Sequence, residues 1–187
     1  CYGVKSCDKI FISTNVILAT GGLGGIFDRS TNFSHICGDG YAMAIKNAVK
    51  LKDISYIQFH PTSLYEKGTE RQFLISESVR GEGALLLNHK DERFTDEMKP
   101  RDIVSKAILR EMEKENVDFE YLSMKSLGED KITMRFPMIF NELKNRGVDA
   151  RYENVPIVPC QHYTMGGIEC DMNGRTNICL LYTSPSP

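Results

Sequence analysis

Six side chains between positions 60 and 162 are of the kinds that bind a small anion and move a proton: His60, Ser76, Glu77, Arg80, Arg101 and His162. Arginine presents a planar fork matched to a carboxylate, and a histidine adds one directed hydrogen bond. Two histidines and two arginines therefore suit a dicarboxylate. Taken singly, each is more simply a surface or structural group, so placement carries the argument. His60 and His162 both end apolar extended stretches and are both followed by turn-forming sequence, and loops at strand ends are where sites are usually built. Glu77 and Arg80 stand three apart and share one face of a helical turn. They read either as an ordinary ion pair worth roughly 0.2–0.5 kcal/mol or as part of a proton relay. Gly81 and Gly83 behind them free the backbone to bend.

These side chains need a frame. "KIFISTNVILATGG" (9–22) predicts two short strands, the second of the continuous apolar kind found in parallel sheets. The glycine turn that ends it, "ATGGLGG", lets a backbone approach a nucleotide phosphate or sugar, or is simply a tight strand-to-helix turn. The GxGxxG dinucleotide fingerprint is absent. "GDGYAMAIKNAVKL" (38–51) predicts a helix capped by Asp39, with Ala42, Ala44, Ile45 and Val49 as its apolar stripe. From Ile54 the texture changes to short strands, Tyr56 to Phe59, Gln72 to Ile75 and Ala84 to Leu87, an α+β pattern. Helices are predicted over 101–115 and 135–147, the second ended by Gly147. "DERFTDEMK" before Pro100 reads as a solvated loop without chemistry. "VPIVPCQHYTMGGIEC" predicts an extended segment, a Gly-Gly turn and a returning strand.

Composition narrows the classes. The chain has 187 residues, 41% of them hydrophobic, and a formal charge of -2 without long runs of one sign. A packed globular fold is expected, and neither nucleic acid nor membrane is an expected partner. The six cysteines form no CxxC pair or Cys/His cluster, so reduced thiols and no metal are expected. With no charged leader segment opening the chain, a cytoplasmic location is expected. "CLLYTSPSP" (179–187) reads as a disordered or foreign tail, and both ends read as cuts through a larger protein.

The motifs "VILATGG", "GDGYAMA", "QFHPTSLY", "LISESVRGEG", "KPRDIVSKAI" and "CQHYTMGGIECDMNGRTN", in that order, resemble flavoproteins of the succinate dehydrogenase and fumarate reductase superfamily. Within it, Leu64 and Tyr65 and the run "FPMIFNELKNRGVDA" are more similar to the aspartate oxidases than to the dehydrogenase subunits. The resemblance implies an α/β Rossmann-like FAD-binding domain, present in part, with an inserted α+β capping domain. Residues 1–52 would be the end of the first FAD-binding segment, 53–164 the capping domain, 165–178 the start of the returning segment and 179–187 outside the family. FAD, non-covalent, would meet Thr20, Gly21, Gly22 and Asp39. His60, Ser76 and His162 would hold the substrate carboxylates, with Ser76 where threonine is more usual. Arg101 would take the proton, and Glu77 and Arg80 would relay it to solvent.

The implied reaction is oxidation of L-aspartate to iminoaspartate, with oxygen or fumarate as acceptor, on the route to NAD and with a functional link to quinolinate synthase. Alternatives are a fumarate reductase or succinate dehydrogenase flavoprotein subunit, acting on fumarate or succinate, and a non-catalytic dicarboxylate-binding module. Because the family's first FAD-binding stretch and a later arginine-rich segment have no counterpart in these residues, the chain by itself is expected neither to bind FAD tightly nor to turn over aspartate.

Overall fold

A computed structural model describes residues 1–184. In chain order the elements are β1 (Gly3–Ser6), β2 (Lys9–Ile12), β3 (Val16–Leu18), α1 (Asp39–Lys46), β4 (Leu51–Lys52), β5 (Ile57–Leu64), α2 (Glu77–Gly81), β6 (Leu85–Leu87), α3 (Arg101–Glu115), β7 (Glu120–Ser123), α4 (Glu129–Arg135), α5 (Pro137–Asn145), β8 (Val155–Thr164), β9 (Gly167–Ile168) and β10 (Leu181–Thr183). They fall into two compact units. The first comprises Cys1–Asp28, Phe33–Ile57 and the chain from Tyr163 onward; the second comprises Gln58–His162 together with the four residues Arg29–Asn32.

The first unit is made of small pieces. β1 and β2 form an antiparallel hairpin, β3 and β10 pair in parallel, and β4 pairs antiparallel with β9. Its buried apolar residues are few, Val16, Ala44 and Val49. Close backbone approach supplies what a core does not. A Cβ on Gly40 would stand 1.9 Å from Thr20 Oγ1, so only glycine lets the first turn of α1 rest on the Thr20 turn. Asn177 ties the C-terminal stretch to the α1–β4 link, accepting from Lys50 N–H at 2.9 Å and donating to Ala48 C=O at 3.0 Å.

The second unit is a four-stranded sheet in the order β5-β8-β7-β6, with α2 to α5 and one hydrophobic core around Ile75, Leu86, Ile108, Leu122, Leu143 and Ile157. Burying a side chain of this size stabilises by about 1.5–3 kcal/mol. α3 runs over the span its periodicity predicts and turns Val104 and Ile108 inward. α5 ends as Gly147 requires: with φ at +84°, Gly147 N–H reaches Lys144 C=O and Val148 N–H reaches Leu143 C=O, the bonding of a Schellman cap.

Several expectations are corrected. The helix expected over 135–147 is α5, which starts two residues later because Phe136 leaves helical geometry and Pro137, which has no N–H to give, takes the first helical position. α4 itself has no counterpart among the predicted elements. Asp39 does not cap α1; Gly38, at φ +83°, holds the cap position and Asp39 is the first helical residue. α1 stops at Lys46, and of its expected stripe Ala42 and Ile45 are exposed. Gln72 to Ile75 is no strand and meets β5 through a single bridge, Ser63 to Leu74. β7 was not expected, since a glutamate, Glu120, stands in it where an apolar residue would have marked a buried strand. The loop before Pro100 is not wholly solvated: Glu97 is 4% exposed, accepts Leu86 N–H at 2.8 Å and pairs with Arg93. The tail at 179–187 is not uniformly outside the fold, because Leu181–Thr183 form β10; residues 185–187 lie outside the described residues.

Candidate active site

All six side chains singled out in the sequence lie in the second unit. His60 lies on β5, two positions after Gln58 on the same face of the strand. It is 1% exposed, and its Nδ1 accepts Thr62 N–H at 3.3 Å, which leaves Nε2 to carry the proton. Burial first, then the positive charge of Arg101 and the neighbouring His162, push its pKa down to about 3. His60 is therefore a neutral hydrogen-bond donor at ordinary pH. The His162 ring on β8 meets it edge-on at 5.4 Å. Burial and Arg101 lower the His162 pKa as well.

Arg101 opens α3, where Pro100 sets the helix entry. Its Nε and Nη2 both reach Glu77 Oε2, at 2.7 and 2.6 Å, and its Nη1 donates to Gln58 Oε1 at 2.7 Å. The other oxygen of Glu77 lies 3.7 Å from Arg80 Nη2. The carboxylate thus sits between two guanidinium groups, 24 residues apart on one side and three on the other. The two arginines are not alike. Arg80 is 2% exposed, donates through Nη1 to Glu97 C=O at 2.5 Å, and has its pKa lowered by burial against the pull of Glu77 and Glu97. Glu77 has 48% of its side chain exposed, so the chain of groups meets water at Glu77, with the buried Arg80 behind it at ion-pair distance and not hydrogen-bonded to it. Ser76 caps α2, its Oγ accepting Ser78 N–H at 3.3 Å and sharing a proton with Ser78 Oγ at 2.8 Å.

The first unit holds the other four. Gly21 is at φ +72°, a conformation that favours glycine, and Gly22 lies so close to Thr164 that a Cβ would stand 2.9 Å from its Oγ1. Thr164 Oγ1 also accepts Leu23 N–H at 3.3 Å. Thr20 and Gly21 are exposed, Gly22 is half-buried, and the exposed carboxylate of Asp39 begins the helix that packs on Thr20. A backbone stripped of side chains beside an acidic acceptor fits a flavin nucleotide: the turn can lie close to it and Asp39 can accept from its hydroxyls.

Sequence reasoning missed Gln58, Thr31 and Glu97. Gln58 was detectable from strand alternation, which puts it beside His60. Thr31 is joined to His162 across 131 positions and left no local signal. Among the described residues, no group of three or more His, Cys, Asp or Glu could hold a metal, and no helix is long and apolar enough to cross a membrane. All six cysteines are free, and burial pushes the Cys160 thiol up to about 11.

The family model described as FAD binding domain matches residues 4–183, and the chain belongs to that family, whose cofactor is FAD. Among curated relatives it is 47% identical over 187 residues to L-aspartate oxidase of Clostridium acetobutylicum, covering 97% of this chain and 43% of the relative. It is 51% identical over 168 residues to L-aspartate oxidase of Clostridium perfringens, covering 89% and 38%. Among solved structures it resembles a quinol-fumarate reductase with menaquinol molecules, at TM-score 0.84 and 35% identity, covering 94% of this chain and 34% of that one. The chain thus spans less than half the length of the relatives it matches.

Proposed function

We propose that the chain forms the flavin-facing and substrate-holding parts of an FAD-dependent L-aspartate oxidase, with the second unit as the α+β capping domain and the first as part of the FAD-binding domain. The observation that carries the reading is the Arg101–Glu77–Arg80 chain, one carboxylate held between two guanidinium groups, in the unit that also presents two histidines of lowered pKa. Its chemistry is that of a dicarboxylate site with a built-in proton exit. His60 donates from Nε2 to one substrate carboxylate, and His162 and the hydroxyl of Ser76 serve the carboxylates as well.

Oxidation of an amino acid to its imine removes a hydride from Cα and a proton from the nitrogen. Bound FAD supplies the acceptor for the hydride. The proton belongs to Arg101 and its partners. A guanidinium resists deprotonation, and the clamp by Glu77 at two nitrogens and Gln58 at the third makes the exchange concerted: Arg101 gives a proton to Glu77 as it takes one from the substrate. Glu77, half in water, releases it, while Arg80 keeps the carboxylate in place. Burial around His60 strengthens its own hydrogen bond to a substrate carboxylate relative to water.

The similar structures of fumarate reductase favour a second reading, a fumarate reductase or succinate dehydrogenase flavoprotein, in which the same arginine would deliver or remove a proton at carbon. One experiment separates them. The purified FAD-loaded enzyme, given L-aspartate in air or with fumarate, is expected to release iminoaspartate, trapped as quinolinate by added quinolinate synthase and dihydroxyacetone phosphate. Turnover of succinate but not of aspartate would select the second reading, and binding of dicarboxylates without either reaction would leave a binding module. The aspartate reading places the enzyme in the cytoplasm, ahead of quinolinate synthase in NAD formation.

A further inference from the structure

Resting on the reading of His162 as a carboxylate holder, we propose that Thr31 is a positioning residue: its hydroxyl donates to Nδ1 of His162 and holds the ring in the tautomer that carries its proton on Nε2, the form that donates to a substrate carboxylate. Thr31 is 4% exposed, and its Oγ1 lies 2.7 Å from His162 Nδ1. The hydroxyl has one competing acceptor, Gln161 C=O, at 3.3 Å, and that carbonyl already accepts Thr31 N–H at 3.0 Å. The shorter contact and the occupied carbonyl direct the proton to Nδ1. The opposite arrangement, Nδ1–H donating to Oγ1, would leave a lone pair on Nε2 and repel a carboxylate.

The threonine is itself built in. Its carbonyl accepts Arg71 Nε at 2.6 Å, Ser30 Oγ donates to Gln161 Oε1 at 2.6 Å, and Asn32 Nδ2 donates to His162 C=O at 3.0 Å. Four residues, Arg29–Asn32, therefore grip β8 at Gln161 and His162 from backbone and side chain together. Among the charged and titratable groups facing His162 are Arg101 from α3 and His60 from β5, and Arg71 stands behind Thr31.

The test is succinate binding to the FAD-loaded enzyme by calorimetry, alongside aspartate turnover. Thr31→Val keeps the shape and removes the hydroxyl. It is expected to weaken succinate and raise KM for aspartate by roughly tenfold with kcat kept, because one hydrogen bond to a charged group is at stake. Thr31→Ser is expected to restore both. The defect should shrink as pH is lowered, since an imidazolium donates from Nε2 whatever occupies Nδ1. Nitrogen NMR of the histidine-labelled wild type adds a readout that needs no variant: a proton on Nε2 and none on Nδ1 of His162. Wild-type affinity and KM in Thr31→Val, an equal defect in Thr31→Ser, or a proton on Nδ1 would overturn the assignment. A wild-type enzyme that binds no succinate and oxidises no aspartate would instead bring down the reading of the site itself.

Discussion

The two units handle the same problem with different means. The second buries a continuous apolar core, from Leu64 to Ile157 in sequence, under a four-stranded sheet, and it carries the residues proposed to act through side chains. Among its described residues the first buries three apolar side chains, leaves Tyr2, Ile12 and Ile17 at 80%, 86% and 67% exposure, and carries the residues proposed to act through bare backbone. Side-chain chemistry needs rotamers locked by packing. A glycine turn needs only that neighbouring chain come close, and hydrogen bonds and missing Cβ atoms suffice for that.

If that division holds, damage to each unit should fail differently. The largest effect is expected from Arg101→Leu, which should lower kcat by about a hundred- to ten-thousandfold while FAD absorbance and affinity stay normal, checked by stopped-flow reduction of the flavin with aspartate. Retained turnover would remove Arg101 from the proton path. Leu122→Ala, in the centre of the second unit's core, should cost about 2–5 kcal/mol in urea unfolding. Gly40→Ala reverses the pattern: the new methyl meets Thr20 Oγ1 and should cost about 1–3 kcal/mol, read as a lower melting temperature and weaker FAD binding with KM for aspartate unaltered, and relieved by Thr20→Gly.

The pH dependence of unfolding sharpens the picture of the second unit, because it holds two buried titratable groups shifted in opposite senses. His60, with a folded pKa of about 3 against an ordinary 6.5, binds its proton more readily unfolded, so its contribution is present above pH 6.5 and is lost as pH falls towards 3. Glu120, whose burial raises its pKa from 4.5 to about 7, takes its proton more readily folded, so its contribution is present below 4.5 and lost as pH rises to 7. Urea titrations across this range should show His60→Gln flattening the acid limb and Glu120→Gln the upper one. The smallest change belongs to Ile45→Ala on exposed α1, expected within about 0.5 kcal/mol of wild type; a larger loss would mean that this face of the first unit is covered.

Local patterns were legible and long-range pairings were not. α3 was readable because Val104 and Ile108 recur at helical spacing, and the cap at Gly147 because its sequence admits a left-handed residue. β7 was hidden by Glu120, a carboxylate that the fold buries with both oxygens lacking a hydrogen-bond partner in the structure, against the usual pattern. Phe136 falls at the very start of the expected helix, so the separate short helix α4 before it went unread. Of the site, the Glu77–Arg80 pair follows from spacing alone. Its link to Arg101, 24 residues on, came only with the family resemblance, and Thr31 beside His162 came with neither.

The grip of Arg29–Asn32 on β8 also sets an order of events during synthesis. Thr31 leaves the ribosome 131 residues before His162, so the contact closes a loop whose entropic cost, about (3/2)RT ln n, is on the order of 4 kcal/mol. The sheet waits for the same strand, because β8 joins β5 to β7 and carries His162, whereas α2 to α5 all lie earlier in the chain. His162 and its strand are then placed last. The Glu77–Arg101 pair can therefore close before Thr31 and His162 meet.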